Sequence, residues 1–213
     1  EASLAFSGAR PIEWLLANAN VNEHWCLIHA THMTDEEAQM LAGSGAVAGL
    51  CPITEANLGD GLFPAGRYLS ASGRIATGTD SNILIDLSQE MRMLEYGQRL
   101  SRRARNLLAS AAQPSVGRRL VDEVQAGGAQ ALGMAAGLAV GNVADIVTLD
   151  ADHPALCGRE GDLILDSWIF AGGTGCIDAV WRAGRKLVAH GRHVERDAVR
   201  QRYRKTLKRI LEA

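Results

Sequence analysis

Three short, uninterrupted apolar runs constrain this chain more than any other feature. They are Trp25–Ile28, Ala46–Leu50 and Arg74–Thr79, with helical patterns between them. Strands buried on both faces read as continuous apolar runs, as in parallel sheets. The spacer after the first run opens on Thr34-Asp35-Glu36-Glu37, a capping box that predicts a helix to about Leu41. Gly43 and Gly45 end that helix. Pro11 suits the first turn of an earlier helix over 10–20. A short helix is expected over Ala65–Ser72 and a long one over Leu87–Leu100, and Cys51–Gly61 reads as a loop. Strand alternating with helix across short loops is βα logic, in an open doubly wound sheet or in a barrel. In either, chemistry collects at the carboxyl ends of the strands.

The texture changes near Ser115. A small-residue-rich helix is expected over 116–133. Strands are expected over Ala144–Asp150, Leu163–Ala171, Cys176–Arg182 and Lys186–His190, forming a small β module. A helix over Glu195–Leu211 closes the chain; its Val199, Tyr203, Leu207 and Ile210 stripe predicts docking on the body with a solvated basic face. The expected division is 1–114 for the α/β part, 115–139 for a connecting helical segment and 140–213 for the β module with its helix.

A length of 213 residues accommodates one domain, or one with a small companion. A net charge of −2 argues against a nucleic-acid-binding surface, and the basic terminal helix lacks interleaved aromatics. No apolar run reaches the roughly 18 residues of a membrane span. Four scattered cysteines without a CxxC, and no basic-then-apolar leader, point to a reducing cytoplasm. Glu1 opens a segment that already reads as the middle of a fold, so a piece of a longer chain is expected.

Two residues stand at strand ends. Asp80 follows Ile-Ala-Thr-Gly-Thr and can ligate a metal or accept a proton from activated water; its ordinary alternative is a helix N-cap. His29 ends Trp-Cys-Leu-Ile and can polarise a substrate or stabilise an oxyanion; its alternative is a satisfied core histidine. His32 makes an HxxH pair with His29, but a catalytic zinc takes about three protein ligands. His190 and His193 repeat that spacing in a turn and read as surface. Gly127-Gly128 and Gly172-Gly173-x-Gly175 lack the strand–loop–helix context of a phosphate cradle.

These strand-end residues, with the later β module, resemble the amidohydrolase superfamily. The segments Trp25–His32, Ser44–Cys51, Thr54-Glu55-Ala56-Asn57-Leu58-Gly59-Asp60-Gly61, Leu94–Leu100 and Phe170–Gly173 resemble, within it, the formimidoylglutamate deiminase family. The resemblance runs through nearly the whole chain. It implies the C-terminal part of a (β/α)8 TIM-type barrel, strands six to eight, with a small β-sandwich module and a terminal helix. It implies a zinc-dependent hydrolase that converts N-formimino-L-glutamate to N-formyl-L-glutamate and ammonia in histidine degradation. Asp80 is then the catalytic and metal-ligating aspartate after strand eight, and His29 the catalytic, substrate-binding histidine after strand six. A homodimer is implied, with the N-terminal half as a possible separate chain. The family's HxH pair, its strand-five histidine and its HxxE glutamate have no counterpart here, and Asn82 stands where relatives often carry His. With one carboxylate and one imidazole, this chain alone is expected to bind metal poorly and to be inactive. Two other readings remain: an amidohydrolase deaminase acting on a guanine-like or cytosine-like ring, and a non-catalytic half barrel.

Overall fold

The computed structural model describes residues 1–82 and 84–212. In chain order the α/β part runs α1 (Ala2–Ser7), α2 (Pro11–Asn18), β1 (Cys26–Ile28), α3 (Asp35–Gly43), β2 (Val47–Leu50), α4 (Pro52–Leu58), α5 (Ala65–Ser70), β3 (Arg74–Thr77), α6 (Leu87–Arg102) and α7 (Val116–Ala131). β4 (Ile146–Leu149), α8 (Leu163–Ser167), β5 (Ile177–Arg182), β6 (Arg185–Ala189), β7 (Arg192–His193) and α9 (Arg196–Leu211) follow.

The three apolar runs form one parallel sheet in the order β1-β2-β3. β2 is buried along its length, which is why Val-Ala-Gly-Leu carries no polar alternation. A Cβ at Gly49 would meet Ile28 Cδ1 at 2.7 Å and Cys26 Sγ at 3.0 Å, so the side chains of β1 close over the bare Cα. Local signals set the helix starts. The Thr34 hydroxyl accepts the Glu37 N–H at 3.2 Å, and Glu37 Oε2 accepts the Thr34 N–H at 2.8 Å. Asp86 caps α6 through the Ser88 N–H, and Ser115 caps α7 through the Arg118 N–H.

The core lies between the sheet and its helices, around Leu41, Leu50, Tyr68, Ile75, Met91 and Leu120. The Tyr68 hydroxyl donates to the Ala46 carbonyl at 3.0 Å, which satisfies its buried oxygen. α7 packs on β3, with Gly127 set directly over the Ile75 carbonyl.

The expected helix over 116–133, the strands at β1 to β3 and the strands at β4, β5 and β6 are present. Four expectations need correction. Cys51–Gly61 is not wholly loop: Pro52 starts α4, where its missing N–H is harmless. Leu163–Ala171 is not a strand. It forms α8 and a π-helical turn, Trp168–Gly172, with Ile169 buried and Asp166 Oδ1 accepting the Gly117 N–H at 2.7 Å. A long apolar run packed against other helices is ambiguous by pattern alone. The β module is one four-stranded antiparallel sheet, β4-β5-β6-β7, rather than a two-layer sandwich among the described residues. Its β5–β6 turn, Ala183-Gly184, and β6–β7 turn, His190-Gly191, have positive φ at both residues, as tight hairpins require. Finally, α9 does not dock its stripe: Tyr203 and Ile210 are exposed, and no residue of α9 is buried. Among the described residues, no helix is long and apolar enough to cross a membrane.

Candidate active site

The two sequence-predicted site residues come together. His29 follows β1 and Asp80 follows β3, on either side of β2. His29 Nε2 lies 3.7 Å from Asp80 Oδ2, and both side chains are about one-third exposed, at 35% and 38%. Both residues have left-handed backbone, φ 68° at His29 and 49° at Asp80. Non-glycine residues rarely hold that conformation, and such strain clusters at functional sites. The N-cap alternative for Asp80 fails, because Asp86 caps the next helix. The core alternative for His29 also fails, because its ring reaches an open cavity of about 450 Å³ shared with Ile12, Ile28, His32 and Asp60.

α4 supplies what pattern reading missed. Glu55 is buried, and its Oε1 lies 3.3 Å from His29 Nδ1 and accepts the Cys51 N–H at 2.9 Å. An ionised carboxylate only accepts, so with Glu55 ionised this contact calls for the imidazole proton on Nδ1, with the Nε2 lone pair toward Asp80. Burial raises the Glu55 carboxyl above its ordinary value, against the lowering effect of these hydrogen bonds. Glu90, on α6, is fully buried and accepts the Ile53 N–H at 2.8 Å; burial raises it too, and the Glu55 charge adds to the rise.

Cys51 stands between β2 and α4. Its sulfur joins His29 and Asp80 in one cluster, with donor atoms of all three within 4.8 Å of one another. Burial, then the charges of Asp80, Glu55 and Glu90, push its thiol up to about 11. Asn82 donates to the Thr79 carbonyl, to Thr54 Oγ1 at 3.3 Å and to Glu90 Oε1 at 3.4 Å. It therefore braces the Asp80 loop against α4 and α6. His32 contributes its carbonyl to Arg10 and lines the cavity; it does not join the cluster. His190 and His193 are exposed in the β module. The one signal for Glu55 was its place in the Thr54–Gly61 segment, just past a strand end.

Residues 12–187 match the Amidohydrolase family. The chain belongs to the amidohydrolase family. This amidohydrolase chain is 52% identical over 190 residues to formimidoylglutamate deiminase of Pseudomonas aeruginosa, covering 89% of this chain and 42% of that protein. It is 29% identical to a 5-methylthioadenosine/S-adenosylhomocysteine deaminase of Pyrococcus abyssi, over 81% of this chain and 40% of the relative. A crystal structure of an amidohydrolase from Brucella melitensis superimposes with a TM-score of 0.91 at 48% identity, covering 98% of this chain and 46% of that one. A zinc-bound adenosine deaminase from Xanthomonas campestris gives 0.85 at 25% identity, over 100% and 48%. The chain thus spans less than half the length of each of these amidohydrolase relatives.

The donor chemistry suits a divalent metal in part. Ligands on one tetrahedral zinc lie roughly 3.3–3.8 Å apart, given bond lengths near 2.0–2.3 Å. The 3.7 Å separation of His29 Nε2 and Asp80 Oδ2 falls in that range.

Proposed function

We propose that the chain forms strands six to eight of a (β/α)8 barrel, and that the protein containing it hydrolyses N-formimino-L-glutamate to N-formyl-L-glutamate and ammonia. The observation that carries this reading is the 52% identity to formimidoylglutamate deiminase across 89% of the chain. The meeting of His29 and Asp80 beside an open cavity supports it.

Asp80 would hold the metal through one carboxylate oxygen, together with donors outside these residues. When bound, a divalent ion supplies Lewis-acid activation of water at neutral pH. Asp80's second oxygen takes a proton from the attacking water. Glu55 holds the His29 ring with Nδ1–H toward itself, so that Nε2 faces the reacting group. His29 Nε2, whose lone pair faces Asp80 at 3.7 Å, takes that proton and delivers it to the nitrogen of the water adduct, whose C–N bond then breaks to release ammonia.

The weaker matches to adenosine-type deaminases favour a second reading, hydrolysis of an amino group on a heteroaromatic ring. Ammonia release by a protein carrying this chain together with the preceding half its relatives possess separates the two. Turnover of N-formimino-L-glutamate, lost in Asp80→Asn, is expected; a preference for adenosine-, guanine- or cytosine-type rings would overturn the first reading. The 213 residues alone are expected to release no ammonia.

A further inference from the structure

Two segments that stand out in the sequence, Leu94–Leu100 and Phe170–Gly173, take no part in the proposed reaction, yet the fold brings them together. Tyr96 stacks on Phe170 with ring centroids 5.8 Å apart and planes 27° apart. The Arg99 guanidinium lies over both rings, 5.4 Å from the Tyr96 centroid and 5.1 Å from that of Phe170. Arg99 also lines an open cavity of about 420 Å³, together with Arg159, Asn106, Asp166 and Phe170. We propose that Arg99 and Arg159 make this cavity a binding site for a phosphate group, free or carried on a small organic molecule.

Arg99 is held in place by its surroundings. Its Nε donates to Glu95 Oε1 at 2.6 Å and its Nη2 to Asn106 Oδ1 at 3.2 Å. Glu95 is fully buried, and the Leu107 and Leu108 N–H groups fix it at 3.1 and 3.0 Å. Stacking and hydrogen bonds therefore set the guanidinium plane before a ligand arrives, so little side-chain entropy is lost on binding. Nη1 has no partner among the described residues. Arg159 is exposed on the same cavity and forms no ion pair among the described residues. A planar fork of N–H donors suits phosphate oxygens. Two guanidinium groups also match the charge of about −1.5 to −2 that a phosphate monoester carries at neutral pH.

The charge nearby points the same way. Glu95 balances Arg99 from behind, and Asp166 on the lining has its Oδ1 turned to the Gly117 N–H at 2.7 Å. Between Arg99 and Asn106 the chain adds Arg102, Arg103 and Arg105, all exposed, and no acidic residue. The field in front of the cavity is therefore positive, which raises the local concentration of anions. The volume also falls within the roughly 300–1,000 Å³ of small-molecule sites. This site is separate from the reaction. Arg99 stands in the last turn of α6, roughly 20 Å along the helix from Asp86. The cavity shares no lining residue with the one beside His29. Failure of either reading thus leaves the other standing.

The test is calorimetric titration with inorganic phosphate, at fixed ionic strength, of a protein carrying this chain together with the preceding half its relatives possess. One phosphate per chain is expected to bind at this site. Arg159→Ala, at an exposed position, is expected to weaken that binding by roughly tenfold or more. Arg99→Lys keeps the charge but loses the planar fork, and is expected to weaken it as well. Arg200→Ala, on exposed α9, is expected to leave it unchanged. Phenyl phosphate binding more tightly than inorganic phosphate would assign the site to an organic phosphate, and equal binding would assign it to the free ion; either supports the site. No binding to the unaltered protein overturns the proposal. So does binding that survives Arg159→Ala, as phosphate held at the reaction centre would, and so does an equal loss in Arg200→Ala.

Discussion

Glu55 shows how much one oxygen can organise. Its Oε1 meets both the Cys51 N–H and the His29 ring, so it links the ends of β1 and β2. Buried carboxylates persist where such donors compensate their desolvation. Glu55→Leu removes the acceptor. Neutral His29 is then expected to carry its proton on Nε2 instead of Nδ1, a change visible in the ring 15N shifts; unaltered shifts would contradict the positioning role. The same variant leaves the Cys51 N–H without a partner, at a cost of about 1–3 kcal/mol in unfolding free energy. In the residue string only the place of Glu55 just past a strand end hints at this. Glu55 and Glu90 lie in or beside helices, where a glutamate ordinarily reads as solvated, and only packing reveals that α4 and α6 turn them inward.

At the scale of elements, caps and strand runs were readable because their causes are local. The Thr34–Glu37 box and the buried β2 run need no distant partner to be recognised. The helical Leu163–Gly172 stretch was misread because its partners lie on α6 and α7: Arg92 donates to the Ile169 carbonyl at 2.6 Å, and Gly117 donates to Asp166. Helix-on-sheet packing sets the sharpest demand. A Cβ at Gly127 would stand 2.0 Å from the Ile75 carbonyl oxygen and 2.6 Å from its carbon. Neither atom can turn aside as a side chain would. Gly127→Ala is therefore expected to lower stability by about 1–3 kcal/mol despite the better helix propensity of alanine, read as a lower urea midpoint. A gain in stability would mean that α7 sits less tightly on β3 than described.

For the whole molecule, the weight of the fold lies in the α/β layer. The core cluster is drawn from residues up to Ile169, whereas α9 buries nothing. Surface elements without buried contacts contribute little to unfolding free energy. A chain ending at Glu195 is thus expected to keep the unfolding free energy of the longer one to within about 0.5 kcal/mol. A large loss would show that the α9 stripe is covered in solution. The open cavity beside His29 belongs to this scale too: Ile28, at the end of β1, is 57% exposed, and among the described residues β1 pairs with β2 alone, which leaves its other edge open.

Periodicity, caps and strand-end positions were enough to read the alternation of strand and helix, and to single out His29 and Asp80. Those signals depend on neighbours a few residues apart, so they survive in a linear string. The 3.7 Å meeting of those two side chains, the inward turn of Glu55 and the addition of Cys51 to the cluster depend on residues 22 to 51 positions apart. Only the stacking of three parallel strands brings them to one edge, because each strand end is placed by its hydrogen bonds to the next.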